Sequence, residues 1–268
     1  MLQTKFLYDI IFMYFKKRLT YRKKWGIKMI ETKPKVEFSV MPECNCLPVI
    51  IVAAGGSTRM GGVNKQFIEI TGVPVIARTL LKFQHSDAVS KIILVTRKED
   101  IPSLQLICEK YGISKLTDIV AGGENRQASV KNGLSRLSPC DESVLIHDGA
   151  RPLVEDSTIR AVADALLKYD AVTCAVKVKD TIKQISPDCK IEKTLDRASL
   201  VAVQTPQGVK VQPYLEALEK TEDISLFTDD TSIMEAAGFS AYTVEGSYKN
   251  IKITTPEDIA LAEIYLKE

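Results

Sequence analysis

Short apolar runs alternate with segments of helical period along most of the chain beyond residue 46. The runs predict strands, because they are short, continuous and rich in β-branched residues, at 49–54, 92–96, 118–121, 143–147 and 171–178. Apolar residues recur at helical spacing between them, at 75–83, 104–111, 128–137 and 159–169. Apolar strands that alternate with helices are typical of a doubly wound, mostly parallel α/β sheet, which binds ligands at the carboxyl ends of its strands.

Two stretches depart from this alternation. Residues 179–207 alternate polar and apolar positions around a turn at Ser186-Pro187-Asp188, and they predict a β-hairpin arm that projects from the sheet. Residues 241–268 predict a strand, a short extended segment at 250–254 and a final helix. That helix should open at Thr255-Pro256, because threonine is a favoured N-cap and proline suits the first helical position. We therefore expect one domain over residues 47–268.

The N-terminal 46 residues differ in charge from this domain. Residues 1–28 carry eight Lys or Arg and one Asp, which gives +7, so the remaining chain sums to 2 − 7 = −5. The longest apolar run there, at 10–15, has six residues, whereas a membrane span needs about 20. We expect a disordered basic extension, or a start codon upstream of the true one. A membrane-surface or targeting segment is the alternative.

Composition narrows the functional classes. The chain is 45% hydrophobic and 26% charged, as in ordinary globular proteins, and its net charge of +2 argues against a nucleic-acid binder. Its six cysteines lack the usual zinc spacing and two of them lie in apolar periodic segments, which indicates a reducing, cytoplasmic environment. Two histidines are too few for a multi-histidine metal site.

A glycine-rich turn follows the first predicted strand. It runs from Ala53-Ala54-Gly55-Gly56 to Lys65, with Arg59 between. Glycines allow the backbone to approach an anionic ligand, and the two cations can balance a triphosphate. The turn has neither the Gly-x-Gly-x-x-Gly pattern of dinucleotide sites nor the lysine position of a Walker A loop. Alone, it is also compatible with a turn that carries two solvated cations.

Further motifs follow in order along the chain. They are VAGGENRQASVKNGL at 120–134, LIHDGARP at 145–152, VKDTIK at 178–183, DRASLVAVQTPQ at 196–207 and EGSYKNIKITTPEDIALAE at 245–263. With the glycine-rich turn, this ordered set resembles the 2-C-methyl-D-erythritol 4-phosphate cytidylyltransferase family of isoprenoid-precursor biosynthesis. The resemblance implies a Rossmann-like nucleotidyltransferase fold and transfer of CMP from CTP to the polyol phosphate. The products would be 4-diphosphocytidyl-2-C-methyl-D-erythritol and pyrophosphate.

The resemblance also implies roles for individual residues. Arg59 and Lys65 would stabilise the reacting α-phosphate and the departing pyrophosphate, and Arg197 and Lys252 would hold the substrate phosphate. The nucleotide would be bound by Ala53, Ala54, Gly55, Gly56, Gly123, Ser129 and Asp148, and the polyol phosphate by Arg151, Thr181, Arg197 and Lys252. Arg151 could equally form an ion pair with a neighbouring residue instead of contacting the substrate. His147 should support the fold and take no part in the reaction, because it points to the opposite side of the strand from Asp148.

The same resemblance implies a magnesium ion and a homodimer. Asp148, at the end of a strand, would hold Mg²⁺, and the arm would cross to a second copy in a homodimer. Two alternatives remain at this point. One is a ribitol-5-phosphate cytidylyltransferase, and the other is an inactive nucleotide-binding module, which should lack one of Arg59, Lys65, Asp148 or Lys252. The six-residue step from Arg59 to Lys65 is one residue shorter than is usual in the family.

Overall fold

A seven-stranded sheet forms the centre of the protein in the computed structural model, which describes residues 46–55, 64–221 and 223–268. Gly56, Arg59 and the basic extension up to residue 45 lie outside these residues. The described residues contain eleven strands, seven in this sheet and four in two small two-stranded sheets, β2-β3 and β8-β9. They are β1 (Leu47–Val52), β2 (Glu69–Ile70), β3 (Val73–Pro74), β4 (Val89–Thr96), β5 (Leu116–Ala121), β6 (Ser143–Asp148), β7 (Ala171–Lys177), β8 (Lys183–Ile185), β9 (Ile191–Thr194), β10 (Val201–Lys210) and β11 (Ala241–Glu245).

The sheet order is β11-β7-β10-β6-β1-β4-β5. Pairs β1/β4, β1/β6, β4/β5 and β7/β11 are parallel, and β10 runs antiparallel to β6 and β7. This confirms the predicted doubly wound, mostly parallel sheet. After β5 the chain returns to the other side of β1, so the strand order reverses between β1 and β6. Such a switch point is where open α/β sheets bind ligands.

Seven helices flank the sheet in the described residues: α1 (Val75–Gln84), α2 (Ile101–Lys110), α3 (Arg126–Leu134), α4 (Asp156–Ala165), α5 (Val211–Lys220), α6 (Asp230–Ala236) and α7 (Pro256–Tyr265). The predicted start of the last helix is confirmed, since Thr255 and Asp258 form a capping box. Helix α3 starts two residues before the predicted 128, because the Asn125 side chain accepts a hydrogen bond from the Ala128 amide. No described helix is long and apolar enough to cross a bilayer.

The core lies on both faces of the sheet. Ile51 belongs to the hydrophobic cluster on one face and its neighbour Ile50 to the cluster on the other, and both are fully buried. Successive strand residues point to opposite faces, so burial of both explains why β1 reads as a continuous apolar run. A rigid, two-sided core thus fixes the carboxyl ends of β1 and β6, where the ligand edge lies.

The projecting hairpin is shorter than the predicted arm of 179–207. Strands β8 and β9 pair with each other alone, but β10 begins at Val201 and lies between β6 and β7 in the central sheet. Residues 201–207 were therefore assigned wrongly to the arm. Their polar residues suggested an exposed hairpin, yet Gln204, Thr205 and Gln207 are buried and hydrogen-bonded inside the sheet.

Candidate active site

A cavity of about 230 Å³ opens at the carboxyl ends of β1 and β6. Most of the described residues that were predicted to bind the nucleotide or the phosphates line this cavity. They are Ala54, Gly55, Lys65, Gly123, Ser129, Asp148 and Lys252. Ala53 is buried behind the cavity wall, where its amide donates to the Val95 carbonyl at 2.7 Å. The glycine-rich turn and four residues remote in sequence thus meet at the switch point.

A second cavity of about 440 Å³ adjoins the first. The two share Arg126, Asp148 and Lys252 as a common wall, and Arg151 and Thr205 line only the second. Two binding spaces separated by one carboxylate and two cations suit two anionic ligands that must approach each other.

Asp148 is the electrostatic centre of this wall. Its carboxylate lies 2.7 Å from Lys252 Nζ, 3.3 Å from Arg126 Nε and 3.8 Å from Arg151 Nε. Burial alone would raise the pKa of Asp148, but Arg126, Lys252 and Arg151 outweigh it and hold that pKa well below its usual value. Asp148 is therefore ionised throughout the physiological range.

Lys252 does not lie in a strand, contrary to the expectation for the extended segment 250–254. The segment is irregular, and the buried Ile253 anchors it by donating its amide hydrogen to the Ala150 carbonyl at 2.8 Å. This bond ties it to the turn after β6 instead of to a strand partner. In place of the expected extended segment, one anchored isoleucine lies next to a lysine whose Nζ is 2.7 Å from the Asp148 carboxylate.

Arg151 makes the local ion pair, which is one of the two roles that the sequence left open. Its Nη1 donates to the Asn250 carbonyl at 2.7 Å, in addition to its ion pair with Asp148. Asn250 is fully buried and in turn donates to the Thr205 carbonyl at 2.8 Å. Arg151 still lines the second cavity, so the local ion pair orients a cation that can also face a ligand.

His147 is a structural residue in this geometry, as predicted. The Arg151 carbonyl can only accept, so His147 Nε2, 3.2 Å away, carries the proton and donates to it. Nδ1 of the neutral ring then accepts from the Thr205 hydroxyl at 3.0 Å, and that hydroxyl in turn accepts from the Asp148 amide at 3.1 Å. Burial lowers the pKa of His147 to about 3, so the neutral ring braces the loop from Asp148 to Arg151.

Ser129 is buried in the first turn of α3. Its hydroxyl donates to the Asn125 carbonyl at 2.9 Å and accepts from the Gly123 amide at 3.1 Å. The turn is compact: a Cβ on Gly123 would lie 2.5 Å from the Ala128 Cβ, so only glycine fits. The serine thus fixes the backbone at the cavity edge.

Two predicted residues lie away from both cavities. Thr181 is exposed at the root of the hairpin, and Arg197 is exposed with its Nη1 bonded to the Lys179 carbonyl at 2.7 Å. Within one chain, neither Thr181 nor Arg197 lines the wall that holds Asp148.

Sequence reasoning missed Arg126. Its guanidinium bridges Asp148 and the fully buried Asp230, which lies 2.8 Å from Arg126 Nη2 and also accepts from the Tyr214 hydroxyl at 2.7 Å. Burial opposes the charge, but Asp230 and Asp148 raise the pKa of Arg126 above its usual value. The sequence held no clear signal for this ion pair, because Asp229 and Asp230 stand among polar residues at a helix start, where acids are ordinary.

The described residues contain no cluster of three His, Cys, Asp or Glu side chains that could hold a metal alone. Mg²⁺ commonly binds through one or two carboxylates together with substrate phosphates. The ionised Asp148 at the first cavity fits an ion that arrives bound to a substrate phosphate.

A doubly wound sheet with two adjoining cavities at its switch point fits a nucleotide-binding α/β protein. The profile of the 2-C-methyl-D-erythritol 4-phosphate cytidylyltransferase family matches residues 47–268. Curated proteins of that name from Clostridium novyi and Bacillus mycoides are 46% and 45% identical to the chain. The matches cover 83% and 81% of this chain and 96% of each relative.

Solved structures agree with this assignment. The chain matches 4-diphosphocytidyl-2C-methyl-D-erythritol synthase from Anaerococcus prevotii with a TM-score of 0.74 and 35% identity, over 83% of this chain and 96% of that one. The Thermus thermophilus 2-C-methyl-D-erythritol 4-phosphate cytidylyltransferase gives a TM-score of 0.67 and 28% identity, over 83% and 100% of the two chains. The chain belongs to the 2-C-methyl-D-erythritol 4-phosphate cytidylyltransferase family.

Proposed function

We propose that the protein transfers CMP from CTP to 2-C-methyl-D-erythritol 4-phosphate, which gives 4-diphosphocytidyl-2-C-methyl-D-erythritol and pyrophosphate. The observation that carries the proposal is the shared wall, where Arg126, Asp148 and Lys252 separate two cavities. CTP occupies the cavity beside the glycine-rich turn, and the polyol phosphate occupies the one beside Arg151. We place this reaction in the cytoplasm, because all five described cysteines are free thiols.

The attacking group is an oxygen of the substrate phosphate. A phosphate monoester has its second pKa near ~6, so it is largely a dianion at neutral pH and needs no general base. His147, neutral and fully hydrogen-bonded, does not take up a proton in this range. Catalysis then consists of alignment and charge neutralisation. Lys65, together with Arg59, stabilises the five-coordinate α-phosphate and the departing pyrophosphate.

Asp148 and the turn before α3, which holds Gly123, position the nucleotide. The carboxylate of Asp148 would hold Mg²⁺ carried by the triphosphate, and the bound ion would screen the phosphate charge against the incoming dianion. Gly123 and Ser129 hold the base end, because their mutual hydrogen bond fixes the α3 turn at the cavity edge. Lys252, 2.7 Å from Asp148, is placed to change partner from the carboxylate to the substrate phosphate.

A second copy of the chain completes the site in this proposal. Arg197 and Thr181 belong to the polyol-phosphate site but line neither cavity of their own chain. The hairpin that adjoins them exposes Ile185 and Ile191 at 55% and 59%, and an isolated two-stranded hairpin is only marginally stable in water. Docking of the arm on a partner in a homodimer would cover these side chains and supply Arg197 in trans.

The function is tested by pyrophosphate release from CTP and Mg²⁺ with two acceptors in parallel, methylerythritol phosphate and ribitol 5-phosphate. We expect the first to give the higher kcat/KM. A preference for ribitol 5-phosphate would reassign the substrate, and no release with either would support an inactive nucleotide-binding module.

The shared site is tested by mixing two weakened variants. Arg197→Ala removes the donated cation, and Lys252→Ala removes the resident one. If the site forms across the dimer, subunit exchange restores one intact site in mixed dimers, and activity rises above that of either variant. Activity that stays at the mean of the two variants, although exchange is verified, would place Arg197 in its own chain's site.

A further inference from the structure

Tyr248 is an exposed aromatic residue that the reaction described above does not use. It lies in the turn after β11, four positions before Lys252, and is 44% exposed. Its hydroxyl donates to the Lys177 carbonyl at 2.7 Å, and Lys179 Nζ lies 3.6 Å from the centroid of its ring. A cation at this distance from a tyrosine ring is attracted by the ring. Both contacts are with residues 177–179, which we call the arm root, because the hairpin arm leaves the sheet there.

The turn that carries Tyr248 is anchored to the central sheet. The Gly246 amide donates to the Ala175 carbonyl of β7 at 2.8 Å. Gln204 of β10 donates from Nε2 to the Ser247 carbonyl at 2.9 Å. The ring of Tyr248 therefore reaches the arm root from a fixed base.

The strands of the arm have little that fixes their direction. Strands β8 and β9 pair only with each other, and every residue of both is exposed. Arg197, which follows β9, donates from Nη1 to the Lys179 carbonyl at 2.7 Å. Lys179 thus links Tyr248, which contacts its side chain, to Arg197, which is bonded to its backbone. The contacts at the arm root therefore set the position of Arg197.

We propose that Tyr248 is a positioning residue for the polyol-phosphate site, which holds the arm root so that Arg197 and Thr181 reach the site of the partner subunit. This inference rests on the proposed function, because it takes the arm as crossing between two copies of the chain. Tyr248 lines neither cavity of its own chain, so it acts through the arm root and not by contact with a substrate.

The test compares Tyr248→Leu and Tyr248→Phe with Tyr242→Leu as the matched control. Tyr242 is also 44% exposed, but it lies in β11 and stacks on Tyr169. Tyr248→Leu should raise the KM for methylerythritol phosphate roughly 3- to 30-fold, the range for one exposed cation–π contact and one hydrogen bond. Tyr248→Phe keeps the ring and should raise this KM less. Calorimetry should find CTP affinity unchanged in all three variants, and their melting temperatures should agree closely.

Mixed dimers show which site Tyr248 serves, because Lys252 acts in the site of its own subunit and the arm acts in that of the partner. When Tyr248→Leu and Lys252→Ala subunits combine, the site that keeps Lys252 receives an arm with an intact Tyr248. Activity at low methylerythritol phosphate should then rise above the mean of the two variants. When Tyr248→Leu and Arg197→Ala subunits combine, both arms are impaired, and activity should stay at the mean.

Several results would overturn the proposal. A gain in the mixture with Arg197→Ala would show that Tyr248 acts on Lys252 of its own subunit, and no gain in the mixture with Lys252→Ala would show that it does not act through the arm. An unchanged KM in Tyr248→Leu would exclude a positioning role. A lowered melting temperature with weakened binding of both substrates would show a merely structural one.

Failure of the proposed function gives a different result from these. The wild type would then form no product from CTP and methylerythritol phosphate, and the inference would fall with the function. Failure of the shared site alone would leave the wild type active, and the mixture of Arg197→Ala and Lys252→Ala would show no gain.

Discussion

Replacement of Arg126 by methionine should destabilise the protein more than any change of an exposed arginine. Methionine keeps much of the side-chain volume but removes the guanidinium that bridges Asp148 and Asp230. Asp148 would retain Lys252 and Arg151. Asp230, fully buried, would lose its only ion pair among the described residues and keep the hydroxyl of Tyr214.

The magnitude follows from this asymmetry. Removing one partner of a buried ion pair costs about 3–5 kcal/mol, because an uncompensated charge stays buried. For a domain of this size, about 1 kcal/mol shifts the melting temperature by roughly 2–4 °C. We therefore expect Arg126→Met to melt roughly 6–20 °C below the wild type.

The assay is thermal unfolding followed by circular dichroism, with Arg160→Met as the matched control. Arg160 also pairs with two carboxylates, those of Asp87 and Asp156, but it is 45% exposed, and such pairs contribute about 0–1 kcal/mol. Adding Asp230→Asn to Arg126→Met should recover part of the loss, since the orphaned charge is then absent. If Arg126→Met melts within 2 °C of the control, the buried bridge does not have the assigned strength.

Three further predictions concern charge and pH. Lys65→Ala should lower kcat on the order of 10²–10³-fold with an unchanged melting temperature, since it removes a charge aimed at the transition state. Steady-state kinetics in which Lys65→Ala turns over as fast as the exposed control variant Lys220→Ala would contradict this. Lys252→Ala should raise the KM for the polyol phosphate roughly 10-fold or more and leave CTP affinity unchanged. If calorimetry shows that CTP binding is lost instead, Lys252 belongs to the CTP site and not to the polyol-phosphate site. His147 has a folded-state pKa of about 3, below its unfolded value of about 6.5, so the unfolded chain takes up a proton first and stability falls as pH drops from 6.5 towards 3. In urea unfolding this contributes up to about 1.4 kcal/mol per pH unit, and His147→Gln should remove it; an unaltered pH dependence in that variant would show that His147 is not the group responsible.

Much of the fold follows from local patterns in the sequence. Strand β1 is apolar on both faces, and Thr255 with Pro256 marks a helix start, so neither required knowledge of distant residues. Asp148 could be placed at the ligand edge because it ends a predicted strand, and the carboxyl ends of parallel strands meet there.

The features that sequence reasoning missed depend on contacts between distant segments. Arg126 and Asp230 are 104 positions apart, and no local period shows that one neutralises the other. Strand β10 was mistaken for hairpin because its buried glutamines find their partners on residues distant in sequence, such as Thr173 and Ser247. For Lys252, the bond from the amide of the next residue to the Ala150 carbonyl fixes an irregular segment where the sequence predicted an extended one.

The central claim is that an oxygen of the substrate phosphate attacks the α-phosphorus of CTP. Methylerythritol phosphate labelled with ¹⁸O on its phosphate, incubated with the protein, CTP and Mg²⁺, tests it in one ³¹P NMR spectrum. The account predicts a new diphosphate whose bridging oxygen carries the label, with one unlabelled pyrophosphate per product. Label in the pyrophosphate, or orthophosphate as the only new signal, would contradict it.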